Sequence, residues 1–435
     1  MDTRGTCERL PAKNNGVHFT ATDRPKLTAP AIAVLLCVTV LVFDAGAAIL
    51  PARPFLVVVT WQRLVIVSGL AAVVGAGARF AHFRTRLDIP ILVLLAAAIA
   101  VTVREGGAPQ LRNLVSYIAI YYLVTALTRV AKHSWRTIVM LASGAVTVAG
   151  VIAINQVSRG VQTGFCRMGL LRETACAPGL QVRAIGTFGN PNLLAAFLLL
   201  FLPLSVVAVA TVTDRLYQIC LLGLTLIGYA ALLATFSRAA CIAGFAGLMV
   251  LAWHRFHGRF SPRATVLAGW IGASALAAAL AGIAIASQAG RAIGIRGEAW
   301  RAAMDIAVQR PFGVGLGNAG AAVNARIPGR EQFAHVHNLW LNWLVETGVL
   351  GFLAILAITV GALVTATRLA TKDIAVGFPG FAALLGFLLM SLVDHPAGLS
   401  RISVALWLVL GLVMGSAPGR WRLGKTPRPR YPATI

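Results

Sequence analysis

The sequence predicts an all-α polytopic membrane protein with about twelve transmembrane helices. Three observations carry that prediction. Hydrophobic residues make up 58% of the 435 residues, charged residues only 12%, and the mean hydropathy is +0.79. A soluble domain carries roughly twice that charged fraction. Apolar runs of about 20 residues, the length that crosses a hydrocarbon core, recur from end to end. The basic surplus, net +24, falls mostly between those runs. That is the positive-inside pattern, and it excludes nucleic acid as the partner, because no soluble region gathers the charge.

Residues 1–30 are polar and basic (Arg4, Arg9, Lys13, Arg24, Lys26) and read as a cytoplasmic N-terminal segment without a cleavable signal peptide. Spans are expected at about 31–50, 55–78, 89–103, 109–128, 136–155, 189–211, 216–235, 239–254 and 265–287, all within 31–287, and at about 348–367, 374–393 and 402–418, within 338–418. Residues 419–435 form a basic cytoplasmic tail. With the N-terminus inside, the inner loops hold Arg79, Arg84 and Arg86, then Arg129, Lys132 and Arg136, then Arg215, then Arg255, Arg259 and Arg263, then Arg368 and Lys372. All five lysines fall on that side.

Two outer segments are long, one near 156–188 and a larger one at 288–337. The second is too long for a simple connection and is expected to be partly helical. Glu298 to Arg310 reads as an amphipathic helix, with Trp300, Ala303, Met304 and Ala307 on one face. Arg301 and Asp305 can pair at i, i+4 on the other. Pro311 and the run Gly313-Val314-Gly315-Leu316-Gly317-Asn318 end it. Both segments are net basic and every cation in them is arginine. Headgroup contacts or genome bias would explain that. So would a vestibule for an anionic substrate, since arginine binds phosphate through two parallel hydrogen bonds.

Arg183 lies just before Gly186-Thr187-Phe188-Gly189-Asn190-Pro191-Asn192, and Arg238 closes Thr235-Phe236-Ser237-Arg238 at an outer turn. Either could simply snorkel. Asn190 and Asn192 flank a proline that can start a helix with its amides facing outward, a natural anion site. His335 and His337 precede Asn338, Asn342 and Glu346, which recur at four-residue spacing on one helical face. A histidine at the mouth of an apolar helix is either structural or a base poised near neutral pH. His-X-His with no further Cys or His in the segment is a weak metal signature. Cys166 and Cys176 are a candidate disulfide on the outer side. Asp44, Arg63 and Arg112 are charges at span positions, with structural pairing as the plain explanation.

Four segments taken together resemble the O-antigen ligase and polymerase superfamily of bacterial inner membranes. They are Arg183 to Asn192 (R-x-x-G-T-F-x-N-P-N), Thr235 to Arg238 (T-x-S-R), Trp300 to Asn318 (W-x-x-A, then P-x-x-G-x-G-x-G-N) and His337 to Gly348 (H-N-x-x-L-x-x-L-x-E-x-G). The resemblance covers about residues 180–350. It implies a C-type glycosyltransferase-like fold with a periplasmic active site. The implied donor is O-antigen linked to undecaprenyl pyrophosphate, and the acceptor in the ligases is lipid A-core. It implies Arg183, Arg238 and His337 as catalytic residues and no metal or other cofactor. Asn190, Asn192, His335, Asn338, Arg301 and Arg310 are the further candidates for substrate contact, and membrane lipids surround the whole. The alternatives are an O-antigen polymerase with the same donor and, from a different class, a twelve-span transporter. The lack of an evident internal repeat and the placement of the polar candidates at the outer surface weigh against transport.

Overall fold

The computed structural model describes residues 61–131, 134–167, 176–177, 180–256, 295–327, 332–372 and 374–417. The expected spans at 31–50 and 265–287 lie outside the described residues, as do Asp44, Arg172, Glu173, Arg291, Arg330 and the two polar ends.

The helices are α1 (Trp61–Gly75), α2 (Phe80–Phe83), α3 (Asp88–Glu105), α4 (Ala108–Val130), α5 (Ser134–Ser158), α6 (Pro191–Thr211) and α7 (Arg215–Ala234). They continue as α8 (Arg238–Phe256), α9 (Ile295–Gln309), α10 (Ala319–Asn324), α11 (Leu339–Ala370), α12 (Gly377–Met390) and α13 (Ser400–Ser416). Among the described residues there is no strand, only an isolated antiparallel bridge between Cys166 and Val182. Five helices, α4, α5, α6, α7 and α11, are long and apolar enough to cross a membrane. Shorter apolar helices occupy the places expected of the second, eighth, eleventh and twelfth spans. Among the described residues the molecule is all-helical, with five candidate membrane spans, consistent with a polytopic membrane protein.

Helix α6 sits at the centre, packed by α5, α7, α8 and α12. Its sequence is apolar on every side, and 72% of its core window is buried, as an all-round hydrophobic helix requires. Helix α13 is buried from Ile402 to Gly415 and lies along α4, where the Tyr121 and Trp407 rings meet edge to face at 6.0 Å. Helix α7 differs, with 22% of its window buried. Its Ile219, Leu222, Leu226 and Leu233 face outward, as a lipid-facing stripe would.

Local signals explain where these helices begin. Asn190 caps α6, accepting from the Asn192 amide at 2.8 Å, with Pro191 as its first residue. Asp214 caps α7 through the Leu216 and Tyr217 amides. Asn338 caps α11 through the Trp340 and Leu341 amides. The two histidines therefore stand just ahead of α11 rather than inside it.

Helix α11 extends well before the expected 348–367 and bends at Gly348, whose φ is 69°. The segment after α9 passes through this bend. The Val349 amide donates to the Pro311 carbonyl at 3.0 Å and the Val314 amide to the Val345 carbonyl at 2.9 Å. A β-carbon on Gly348 would lie 2.3 Å from the Pro311 carbonyl, and one on Gly313 would lie 2.4 Å from the Glu346 carbonyl. Glycine is required at both positions by close approach and by positive φ.

Between α8 and α11, the helices α9 and α10 build a second core of Ala299, Ala302, Ala303, Ile306, Val323 and Val336. The amphipathic reading of this segment holds, with one correction. Met304 is 48% exposed; Ala303 and Ala307 are buried as expected, and Ala299, Ala302 and Ile306 complete the buried face.

Candidate active site

The loop between α12 and α13 supplies the residue that organises the site, Asp394. It was expected to follow a span running to residue 393. Helix α12 stops at Met390 instead, and Ser391 to Leu399 form a turn stitched to the start of α11. The Leu339 amide donates to the Ser391 carbonyl at 3.0 Å, and Asn338 Nδ2 donates to the Leu392 carbonyl at 2.8 Å. Those bonds bring Asp394 against the histidines.

His337 Nδ1 lies 3.2 Å from Asp394 Oδ1, and His335 Nε2 lies 3.6 Å from the same oxygen. The first is a hydrogen bond and the second too long for one. Asp394 Oδ2 accepts from Asn192 Nδ2 at 2.6 Å, and Oδ1 also accepts from the His395 amide at 2.8 Å. Asn192 Oδ1 in turn accepts from Arg183 Nη2 at 3.3 Å. A hydrogen-bonded chain thus runs Arg183, Asn192, Asp394, His337, drawing on three separate parts of the sequence.

His337 sits in left-handed backbone, φ 55°, a conformation that a residue with a β-carbon adopts at a cost of ~1–3 kcal/mol. Its carbonyl accepts from Trp300 Nε1 of α9 at 3.3 Å, and Phe333 meets its ring edge to face at 6.1 Å. The imidazole itself stays 29% exposed.

The charges around Asp394 fix its ionisation. Burial alone would raise its carboxyl, but the imidazoles of His335 and His337 and the positive charge of Arg296 hold it well below the usual carboxylate range. Arg296 reaches this loop through its own bond to the Val393 carbonyl at 2.9 Å. His395, buried beside them, is pushed down to about 3, first by burial and then by the charge of His335. Arg183 is lowered by burial and by the like charge of Arg296, with Asp394 opposing. Arg183 and Arg296 thus both act on one buried carboxylate.

Arg183 is held by a short paired stretch. Its amide donates to the Phe165 carbonyl at 2.9 Å, and Thr163 Oγ1 donates to its carbonyl at 2.8 Å. Cys166 and Cys176 are joined by a disulfide on this stretch, with Cα atoms 5.5 Å apart. Arg183 Nε donates to the Thr235 carbonyl at 2.8 Å. That ties it to the turn that ends in Arg238, the exposed first residue of α8. Among the described residues, two of the five guanidinium hydrogens of Arg183 are committed.

The other sequence candidates fall elsewhere. Asn190 and Asn338 are occupied as helix caps. Asn342 Oδ1 accepts from the Val336 amide at 3.3 Å, which fits helix docking. Arg310 pairs with Glu105 at 3.3 Å, at the end of α3, not with the histidines. Arg301 and Asp305 both stand exposed on α9. Arg63 donates to Asn113 Oδ1 at 3.4 Å, and Arg112 Nε is buried without a partner among the described residues. Asp394 and Arg296 are the site residues that sequence reasoning missed. The signal for Asp394 was available, an Asp-His pair in a short turn between two apolar runs.

His335, His337 and Asp394 place ligand atoms within 4.8 Å of one another, so this trio has the donor set for a divalent ion. Both Asp394 oxygens already accept from Asn192 and His395, which an added ion would have to share or displace.

The fold is consistent with a polytopic membrane protein, with this polar cluster at one end of its helices. Residues 220–356 match the family model described as O-Antigen ligase, and that match supports membership of the O-antigen ligase family. The matched region contains Arg238 and His337; Arg183, Asn192 and Asp394 lie outside it. Among curated proteins none matches the chain.

Proposed function

We propose that the protein is a glycosyltransferase of the bacterial inner membrane that moves O-antigen from undecaprenyl pyrophosphate to a sugar hydroxyl of lipid A-core on the periplasmic face. The observation that carries this reading is the bonded chain from Arg183 through Asn192 and Asp394 to His337. One end is a cation suited to pyrophosphate and the other an oriented base, as transfer from such a donor needs.

An ionised Asp394 only accepts hydrogen bonds, so neutral His337 carries its proton on Nδ1 and leaves the Nε2 lone pair free. As the acceptor oxygen attacks the anomeric carbon, its proton passes to Nε2. The bond from that carbon to the pyrophosphate oxygen breaks with its electron pair on the leaving group. Arg183 and Arg238 neutralise that growing charge. Direct displacement of this kind inverts the anomer. Asn192 and Arg296 set the field and the orientation. The long tail of the donor lies along the apolar helices.

The test is the lipopolysaccharide of a deletion strain complemented with the parent chain or with His337→Ala. Ligase function predicts core without O-antigen, with polymer accumulating on the lipid carrier, and no rescue by the variant. A single repeat on the core would indicate polymerase instead, and unchanged lipopolysaccharide would sink both. In purified protein, transfer should persist in chelator. Loss restored by a divalent ion would put that ion on the His335, His337 and Asp394 trio.

A further inference from the structure

An open cavity of about 80 Å³ lies at the far end of α11 from the histidines, lined by residues near Arg368 and Lys372. Helix α11 runs from Leu339 to Ala370, roughly 45 Å at 1.5 Å per residue, so cavity and cluster belong to opposite membrane surfaces. The wall carries five cations, Arg84, Arg86, Arg129, Arg368 and Lys372, and no acidic side chain. Leu369, Met414 and Ala417 supply an apolar side.

Positive-inside bias would scatter cations over this surface without building a site. Here they converge from the α2–α3 link, the end of α4 and the end of α11. Arg129 is fixed by three carbonyls, with Nη1 on Arg84 at 2.7 Å and His82 at 3.0 Å, and Nη2 on Met414 at 3.1 Å. Its Nε is buried without a partner among the described residues. Part of the positive charge answers the C-termini of α4, α11 and α13, each worth about half a negative charge. Among the described residues Asp88 is the nearby acid, and its oxygens already take hydrogen bonds from Thr85 and Tyr122. Three half-charges and one carboxylate against five cations leave roughly two to three positive charges unanswered among the described residues.

We propose that this cavity binds a phosphate group, carried either by an anionic membrane lipid or by a free phosphate. Three arginines can present paired N–H donors to its oxygens, and the apolar side accommodates the start of an acyl chain when the phosphate belongs to a lipid. A phosphate there bridges the ends of α4 and α11 and relieves the mutual repulsion of the cations around it. The site is independent of the proposed transfer reaction, so either can fail without the other.

The experiment uses the full-length protein in phosphatidylcholine nanodiscs, with phosphatidylglycerol added in one arm and inorganic phosphate in another. Thermal melting and binding are read for the parent and for Arg84→Gln/Arg368→Gln/Lys372→Gln, whose heads are exposed. Each cation is worth about fivefold in affinity, so the triple variant should bind about a hundredfold more weakly. Stabilisation by phosphatidylglycerol alone identifies a lipid phosphate, and saturable stabilisation by inorganic phosphate identifies the free anion. No stabilisation in either arm, or equal binding by parent and variant, overturns the proposal. If the triple variant melts early in phosphatidylcholine, Lys372→Gln alone, with an expected fivefold loss, decides the question.

Discussion

His337 Nδ1 lies 3.2 Å from Asp394 Oδ1, across 57 residues of sequence. The bond joins the start of α11 to the turn after α12 and engages Nδ1, which leaves Nε2 as the ring nitrogen not bonded to Asp394. His335 offers Asp394 its Nε2 at 3.6 Å, so its ring is turned the other way. Two histidines equivalent in sequence are thereby unequal in chemistry.

Asp394→Asn should lower glycan transfer by roughly a hundredfold or more, within the range a general base contributes. The amide keeps the shape but no longer fixes the tautomer. Transfer by the purified variant, normalised to folded protein, measures this. Activity within about threefold of the parent would remove Asp394 from the mechanism.

Arg183→Lys preserves the charge but gives up the fork that bonds the Thr235 carbonyl and Asn192 Oδ1 together. Lysine cannot hold both and also meet a pyrophosphate oxygen. The expected result is a fall in kcat of about tenfold or more with protein levels unchanged, and titrating the lipid donor tests it. A variant with parental kinetics would show that charge alone suffices.

Buried His395 makes stability depend on pH. Its folded pKa is about 3, against ~6.5 for an unfolded histidine. Between those values the unfolded chain binds a proton that the folded chain refuses, so stability falls as pH drops from ~6.5. The depressed carboxyl of Asp394 acts in the same direction lower down. Its contribution is present above ~3.9 and is lost as pH falls through the folded value. Melting temperatures in detergent from pH 7.5 to 4.5 should decline for the parent and decline less steeply for His395→Gln. Parallel curves would contradict a buried neutral imidazole.

Gly348→Ala should be among the most damaging single substitutions. A β-carbon there meets the Pro311 carbonyl at 2.3 Å, in a backbone conformation with φ 69°. The strain alone is worth ~1–3 kcal/mol, before the loop is displaced. A fall of several degrees in melting temperature, or loss of folded protein from the membrane, is expected; an unchanged melting curve would mean the bend can move.

The sequence by itself determined the class of protein and most of its helices, because hydropathy and helix capping are local properties. Pro191 after Asn190, and Asn338 ahead of an apolar run, mark helix starts that need no knowledge of the fold. The resemblance of four segments to the O-antigen ligase and polymerase superfamily also pointed to Arg183, Arg238 and His337 as candidates. Tertiary structure alone decided how such residues are used. It brought Asn192 to Asp394 across 202 residues and drew Arg310 away to Glu105 across 205. It ended α12 early enough to free Asp394. Polar pairing between helices depends on how their apolar surfaces pack, and a hydropathy pattern specifies which faces are buried without specifying which helices meet.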